Sequence, residues 1–312
     1  MSNAPLVTIG IPCFNSEKWL EGAIRSALEQ TWDQCEVIVV DDGSSDSSPA
    51  IAREFGSRIQ LISCGHRGAN HARNEVLRRS RGEWIQHLDA DDCLLPKKIA
   101  LQLEETANGA ECDIIYSPVW VEMNAKREQS RIDPELDLYG RWIAWQLPQT
   151  GGCLWRRAAL EAVGGWNETM PCCQEHELYL RAIKAGLRFR HAPTANAVYR
   201  IWSDATLCRR DPRQTIRIRT QLIDDMRAWM KERGLWTAAH NHTAAQACFE
   251  MARSLASYDL AEANAYYRAR KQCGLIGLSG PAAPLAYRLA CRTLGFGGAE
   301  KLANAIRGRH RG

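Results

Sequence analysis

Hydrophobic positions in the first half of the chain alternate between short unbroken runs and stripes with helical spacing. The runs lie at residues 6–14, 35–42, 58–63 and 83–92, and they end in turn-forming or acidic residues. After the first run, apolar side chains recur at the spacing of one helix face, at Trp19, Leu20, Ala23, Ile24, Ala27 and Leu28. Strands separated by single helices predict right-handed β-α-β units, and therefore an α/β fold with a mostly parallel sheet flanked by helices.

The pattern changes after about residue 110. Paired strands are predicted at 112–123. Residues 153–166 are predicted to form a strand and a short helix that ends at a Gly-Gly pair. A helix at 174–186 and closing strands at 187–193 and 195–202 follow. From Asp211 onward the spacing is helical throughout, at 212–233, 237–257, 259–272 and 284–306. We therefore predict an α/β domain at 1–204 and an all-helical C-terminal region at 205–312.

Charge is distributed unevenly along a chain whose composition, 45% hydrophobic and 24% charged, is typical of globular proteins. Residues 200–312 contain 19 Lys and Arg against 9 Asp and Glu, a net of +10, whereas residues 1–199 contain 21 against 27, a net of −6. The acidic part argues against a nucleic-acid partner. The basic helices are suited to peripheral contact with an anionic membrane, and a solvated Arg-rich surface is the alternative.

The twelve cysteines form no CxxC pair, and only Cys172 and Cys173 are adjacent. Structural zinc needs pairs separated by two to four residues, so zinc is not expected at "MPCCQEHELYLR". We expect reduced, mostly buried cysteines. The first residues lack the pattern of a secretory signal, and no apolar stretch approaches the ~20 residues of a membrane span. The expected location is therefore cytoplasmic, with the inner face of the membrane left open.

Two acidic clusters follow predicted strands, where ligands of parallel sheets bind. Asp41 directly follows four apolar residues and would sit at this rim, whereas Asp42 and Asp46 are suited to turn or cap roles. In "HLDADD", Asp89 and Asp91 would alternate along an extended strand end and point to the same side. Paired carboxylates favour Mg²⁺ or Mn²⁺, and a turn with spare aspartates is the alternative.

Several blocks together resemble the N-terminal half of family-2 glycosyltransferases of the GT-A fold: "VTIGIPCFNSEKWLEGAIRSALEQTWDQCEVIVVDDGSSDSS", "ARN" and "GEWIQHLDADDCLLP". The likeness covers about residues 6–100, and "GGWNE" and "QEHELYLR" extend it to about 200. It implies an inverting, metal-dependent hexosyltransferase that uses a nucleotide-diphosphate sugar, UDP-sugars first, in surface polysaccharide or glycoconjugate synthesis. It also divides the α/β domain into a nucleotide-sugar half at about 1–115 and an acceptor half at 116–204.

The resemblance assigns roles to individual residues of the donor site. It places the nucleobase and ribose near Pro12, Phe14 and Asp41, and it places Arg73 of "ARN" close to the base or the phosphates. Arginine presents paired donors to phosphate oxygens, which supports that role. An arginine on the surface of a basic helix is the alternative.

The resemblance also assigns the metal ligand and the base. Asp89 would face the ribose or a metal-bound water, and Asp91 would bind Mn²⁺ or Mg²⁺ directly. The family's base lies in an acidic pair at the start of a late helix, where this sequence has Gln174 and Glu175. The first acid is therefore an amide, and Glu175 becomes the predicted general base, with helix capping as its alternative. Glu177 is predicted to form a solvated ion pair.

Transfer of one sugar is predicted, because the Gln-x-x-Arg-Trp signature of processive synthases is absent after this pair. The acceptor would be a saccharide, a lipid-linked saccharide or a protein. Two other classes stay open. A nucleotidyltransferase has a related sheet, but the glycines expected after its first strand are missing here. A catalytically silent module would keep nucleotide-sugar binding alone.

Overall fold

The structure, a computed structural model, describes residues 4–106, 111–202 and 211–309. The chain divides into two compact units. The first consists of Met1–Asp133 with Gln146–Leu207, and the second of Pro134–Trp145 with Cys208–Gly312. A short segment from the α/β part of the sequence thus belongs to the helical unit.

The first unit contains a seven-stranded and a four-stranded sheet. The strands are β1 (Val7–Cys13), β2 (Cys35–Asp41), β3 (Gln60–Ser63), β4 (Trp84–His87), β5 (Cys93–Leu94), β6 (Ile114–Tyr116), β7 (Trp120–Met123), β8 (Lys126–Gln129), β9 (Cys153–Arg156), β10 (Phe189–His191) and β11 (Ala197–Ile201). The larger sheet has the order β10-β6-β9-β4-β1-β2-β3, and the smaller one β5-β11-β7-β8. In the larger sheet only β9 runs antiparallel to its neighbours, so the predicted mostly parallel sheet is confirmed.

The helices of the first unit are α1 (Leu20–Leu28), α2 (Ser48–Glu54), α3 (Ala69–Arg79), α4 (Lys98–Glu104), α6 (Arg157–Ala162) and α7 (Gln174–Lys184), and α5 (Leu138–Ile143) belongs to the second unit. Helices α1 and α3 pack on opposite faces of the larger sheet, and the side chains of β2 alternate between these two faces. Val37 and Val39 pack in the same core as α1, whereas Ile38 and Val40 pack against α3 on the other face. This two-sided burial explains why the strand reads as an unbroken apolar run.

The predicted strand pairing within 112–123 is wrong. β6 lies in the larger sheet between β9 and β10, whereas β7 lies in the smaller sheet and pairs with β8 and β11. All three residues of β6 are buried, as a central strand requires, and β7 is only partly buried. The hairpin forms instead between β7 and β8, where Asn124 and Ala125 both have positive φ.

The second unit is built mainly from four longer helices, α8 (Pro212–Glu232), α9 (Ala238–Ala256), α10 (Leu260–Gln272) and α11 (Leu285–Arg309). The predicted helical C-terminal region is confirmed. α11 is broken at Gly295, whose φ of 70° and ψ of 173° are not helical. Within the described residues, no helix combines the length and the apolar character that crossing a bilayer requires.

Candidate active site

The carboxyl ends of β1, β2 and β4 meet at one edge of the larger sheet, because β1 is parallel to both neighbours. Pro12 is buried within β1, and Phe14 follows the strand with 44% of its surface exposed. The Phe14 ring stacks on His66, with 4.1 Å between the ring centroids. The sequence analysis did not single out His66. The two rings therefore form a stacked aromatic pair at this edge.

Asp41 and Asp42, at the end of β2, have different surroundings. Asp41 is buried, and its Oδ1 accepts a hydrogen bond from Ser44 N. The two carboxylate oxygens of Asp42 accept hydrogen bonds from Arg67 N and Gly68 N, both at 2.8 Å. Asp42 therefore fixes the loop before α3, which confirms its predicted turn role.

Arg73 is buried, with 4% of its surface exposed, so the alternative of a surface arginine is wrong. Its Nη2 donates to Asp89 Oδ1 at 2.7 Å. Its Nη1 donates to Gln174 Oε1 at 2.9 Å and to Asn70 Oδ1 at 3.0 Å. The guanidinium also lies over the Trp166 ring, 4.5 Å from the centroid. A single arginine thus joins α3, the segment after β4 and the start of α7.

Burial tends to lower the pKa of Arg73, but Asp89, Glu175 and Asp91 outweigh it and raise the pKa above its usual value. Arg73 is therefore a permanent positive charge among three carboxylates. Such a buried charge is tolerated only when it is paired and hydrogen-bonded.

The predicted alternation of Asp89 and Asp91 along a strand is wrong. β4 ends at His87, and Asp92 N donates to Asp89 O at 3.0 Å, which closes a turn. The Asp91 carboxylate accepts a hydrogen bond from Trp202 Nε1 at 2.6 Å. Burial and then the nearby Asp89 charge raise the pKa of Asp91. The turn, not strand pleating, brings the acids together.

Asp92 is almost fully buried, and its Oδ1 accepts a hydrogen bond from Arg200 N at 2.8 Å. Arg200 Nη1 also donates to Asp91 O. These bonds tie the acidic turn to β11, which adjoins β5 in the smaller sheet. Asp92 therefore acts in the structure as an anchor of the turn.

Glu175 lies in the first turn of α7 and is partly buried. Its Oε1 accepts a hydrogen bond from Thr150 Oγ1 at 2.7 Å. The residue before it, Gln174, accepts from Arg73 and donates through Nε2 to Met170 O at 3.2 Å. The Thr150 hydroxyl thus holds the carboxylate of Glu175, and the neighbouring amide of Gln174 forms hydrogen bonds through both its oxygen and its nitrogen.

Other residues of the α7 segment have packing roles. Glu177 pairs with Arg181 at 2.8 Å, as predicted, but only 13% of the Glu177 side chain is exposed, so its predicted solvation is wrong. His176 is buried and packs edge-on against Tyr179. Cys172 and Cys173 are buried, with 3.9 Å between their sulfur atoms, and most of the described cysteines are buried as expected.

An asparagine clamp beside Arg73 was missed by the sequence analysis. Asn74 Nδ2 donates to Trp166 O, and Trp166 N donates back to Asn74 Oδ1, both at 2.8 Å. Asn74 Nδ2 also donates to Glu168 Oε1. Trp166 Nε1 donates to His87 Nε2, and burial together with Arg73 lowers the pKa of His87 to about 3. His87 therefore stays neutral, and the clamp holds the ring against which Arg73 lies.

A buried lysine beneath the site was also missed. Lys98 is fully buried, and its Nζ donates to Gln86 Oε1 and Gln102 Oε1. The two amides donate in turn to Gly151 O and Gly152 O. Burial lowers the pKa of Lys98 to about 7. These glycines directly follow the threonine that bonds Glu175, so the network supports both β4 and that threonine. In "LLPKKIALQ" the lysine has the appearance of a surface residue, and only the i, i+4 spacing to Gln102 hints at a pair.

The donor set at the acidic turn determines which metal fits. Among the described residues, no group of three or more His, Cys, Asp or Glu is placed to hold a metal ion. Mg²⁺ and Mn²⁺ accept one or two protein carboxylates and complete their shells with water and substrate phosphates. The oxygen donors of Asp89 and Asp91 fit such an ion, and they do not fit a metal that prefers sulfur or nitrogen.

Comparison with known proteins supplies the family. The family model described as Glycosyl transferase family 2 matches residues 8–164. Chondroitin synthase from Escherichia coli is 30% identical over 204 residues, which cover 61% of this chain and 28% of that protein. The putative glycosyltransferase EpsH from Bacillus subtilis is 34% identical over 114 residues, covering 36% of this chain and 33% of that protein. The chain thus spans about a third of the length of these curated relatives.

Solved structures support the fold. TarS 1-349 from S. aureus, in complex with UDP-GlcNAc, superposes with a TM-score of 0.66 at 17% identity, covering 97% of this chain and 92% of that one. The mannosyltransferase PcManGT from Pyrobaculum calidifontis, in complex with GDP-Man and Mn²⁺, gives a TM-score of 0.60 at 20% identity, covering 98% and 87%. At these identities the likeness establishes the GT-A fold alone.

Proposed function

The chain belongs to glycosyl transferase family 2, and we propose that it moves one sugar from a nucleotide-diphosphate sugar to an acceptor hydroxyl with inversion at the anomeric carbon. The observation that carries this proposal is the convergence of Arg73, Asp89, Asp91 and Glu175 at the carboxyl edge of the larger sheet. The arrangement combines a fixed positive charge, a pair of carboxylates for a metal and a separate carboxylate for a proton.

The nucleotide half of the donor would lie beyond the ends of β1 and β2. Phe14 offers an exposed ring for a base, and its stacking on His66 keeps that ring in place. Asp41 would accept hydrogen bonds from the ribose. We propose a UDP-sugar first, because TarS 1-349 is known in complex with UDP-GlcNAc, and GDP-sugars second, because PcManGT is known with GDP-Man.

Asp91 would hold Mn²⁺ or Mg²⁺, with Asp89 oriented by Arg73 beside it. When bound, such an ion neutralises the charge that develops on the leaving diphosphate. Arg73 adds a positive charge that needs no proton transfer, and its bonds to Asp89 and Gln174 hold the guanidinium in one position.

Glu175 would act as the general base that takes the proton from the acceptor hydroxyl as this hydroxyl attacks. The bond from Thr150 fixes one carboxylate oxygen and leaves the other for the acceptor. The acceptor is proposed to be a saccharide, a lipid-linked saccharide or a protein in surface polysaccharide or glycoconjugate synthesis, in keeping with the names of the curated relatives.

The test is a panel of UDP-, GDP- and dTDP-sugars, with and without Mn²⁺, in which release of the nucleoside diphosphate is measured. We expect metal-dependent release with one nucleotide class, loss of that release in Asp91→Ala, and loss of acceptor transfer in Glu175→Gln. Glu177→Gln on the same helix is the matched control and should retain transfer. Absence of metal-dependent nucleotide binding and release would overturn the function. Full transfer by Glu175→Gln would overturn the base assignment alone.

A further inference from the structure

The last helix of the second unit carries exposed aliphatic side chains on both sides of its break at Gly295. Ten large hydrophobic side chains are exposed in the described part of the chain, and half of them lie on α11. They are Leu285, Leu289, Leu294, Leu302 and Ile306, with 45% to 67% of their surfaces exposed. Residues four apart share a helix face, as Leu285 and Leu289 do before the break and Leu302 and Ile306 do after it. Apolar surface gathered in this way marks an interaction site.

Other side chains of α11 pack against residues of the same unit. Tyr287, Cys291, Phe296 and Ala299 are buried. The Phe296 ring stacks on Tyr267 of α10, with 4.4 Å between the centroids. These buried side chains therefore hold α11 in its unit, and the packing of the unit does not use the exposed leucines.

The charges of this segment are almost all positive. Residues 284–312 contain six Lys and Arg and one acid, Glu300. Glu300 is fully buried and accepts hydrogen bonds from Arg253 Nε and Tyr287 OH, both at 2.7 Å. Its charge is directed into the unit. Arg292 and Lys301 are exposed, so the charges presented outward by the described part of α11 are basic.

We propose that α11 docks on an anionic membrane surface through its exposed leucines and basic side chains. An anionic bilayer accepts the leucines at the level of the acyl chains and pairs the basic side chains with lipid phosphates. A second copy of the chain suits this face less well, because two such helices would bring their positive charges together. This inference stands independently of the proposed transferase activity.

Flotation of the purified full chain with lipid vesicles tests the proposal. Phosphatidylcholine vesicles are compared with vesicles that also contain about 30% phosphatidylglycerol, at about 0.1 M and about 0.5 M salt. One variant combines Leu285→Gln with Leu289→Gln, and a second replaces the two exposed basic residues, Arg292→Gln with Lys301→Gln. The matched control replaces exposed hydrophobic residues elsewhere, Met123→Gln with Leu235→Gln.

We expect binding to the anionic vesicles that weakens at high salt. Each Lys or Arg near a charged surface contributes roughly fivefold to partitioning, so the variant at Arg292 and Lys301 should lose binding roughly 25-fold. The leucine pair should lose binding to a similar extent, and the control pair should keep it. Circular dichroism establishes folding, and if the leucine variant unfolds, the variant at Arg292 and Lys301 and the salt dependence decide the question.

Four results would overturn the proposal. Equal binding to neutral and anionic vesicles would show that the basic residues do not contribute to binding. Absence of binding to either kind of vesicle would show that α11 does not dock on membranes. Loss of binding in the control pair, equal to that of the leucine pair, shows that general hydrophobicity is responsible. A dimer in sedimentation that the leucine variant dissociates shows that a second copy covers this face.

Discussion

Arg73 Nη1 donates to Gln174 Oε1 across 2.9 Å, and this bond connects α3 to the first turn of α7. The other end of the same amide donates to Met170 O. Both ends of the side chain are thus used, one as acceptor and one as donor, which only an amide can do here. This gives a physical reason for an amide at a position where the family pattern has an acid.

Gln174→Glu should therefore destabilise the protein. The carboxylate keeps the bond from Arg73 but sets an oxygen against the Met170 carbonyl and adds a negative charge beside Asp89 and Glu175. We expect the free energy of unfolding to fall by about 1–3 kcal/mol, measured by urea denaturation. Gln60→Glu, at an exposed position of β3, is the control and should have little effect. Equal stability of wild type and Gln174→Glu would show that the Met170 bond does not matter.

Much of the fold was predictable from local pattern. Buried strands such as β1 and β2 appear as apolar runs, and the C-terminal helices show clear apolar periodicity. The strand pairing of residues 112–123 was not predictable. β6 and β7 are close in sequence and similar in composition, but they pair with strands from distant parts of the chain. Only tertiary context separates them.

The candidate site likewise contains residues that the sequence reveals and residues that it does not. The acidic residues and Arg73 are recognisable because charged side chains at strand ends and helix starts are unusual. The residues that hold them are ordinary in sequence. Asn74 clamps Trp166 from 92 positions away. Lys98 is one of two adjacent lysines in the sequence, where surface positions are expected, and it is fully buried. Bonds over such separations leave no local signal, so only the folded chain reveals them.

Thr150→Val should impair the chemical step while leaving donor binding intact. The valine keeps the shape of threonine but removes the hydroxyl that fixes Glu175. A hydrogen bond to a charged group contributes about 1.5–3 kcal/mol, so we expect kcat to fall by roughly tenfold or more. The KM for the donor should stay the same. Thr150→Ser restores the hydroxyl and should recover most of kcat, and an unchanged kcat in the valine variant would count against this role of Thr150.

Gly10→Ala should destabilise the first unit through a clash between β1 and α3. A Cβ at this position would lie 2.2 Å from Val76 Cγ1. Overpacking of this kind costs about 1–3 kcal/mol. Val76→Ala in the same chain removes both Cγ atoms and leaves only the Cβ contact at 2.9 Å, so the double variant should be more stable than the sum of the two single effects predicts. Urea denaturation of the four proteins measures this coupling.

The matched control for that cycle is Gly22→Ala on the exposed side of α1, where an added Cβ meets nothing within 4 Å. Alanine in a helix is more stable than glycine by roughly 0.5–1 kcal/mol, so this variant should gain stability. Strict additivity of Gly10→Ala and Val76→Ala would show that the two residues do not limit one another.

The stability that Lys98 contributes should depend on pH. The pKa of Lys98 is about 7 in the folded protein and 10.5 in the unfolded chain. Between these values the unfolded chain binds a proton that the folded protein does not, so stability rises with pH across this window. Lys98→Met removes the titrating group. The difference in free energy of unfolding between wild type and Lys98→Met should therefore rise from pH 7 upward, by at most about 1.4 kcal/mol per pH unit.

Urea unfolding followed by tryptophan fluorescence at four pH values between about 6 and 9.5 measures this difference. Below pH 7 it should be constant, because Lys98 is protonated in both states. Lys97→Met, at the exposed neighbouring lysine, controls for the loss of one lysine from the chain. A difference for Lys98→Met that stays flat from pH 6 to 9.5 would show that the buried amine keeps its proton, held by the Gln86 and Gln102 oxygens.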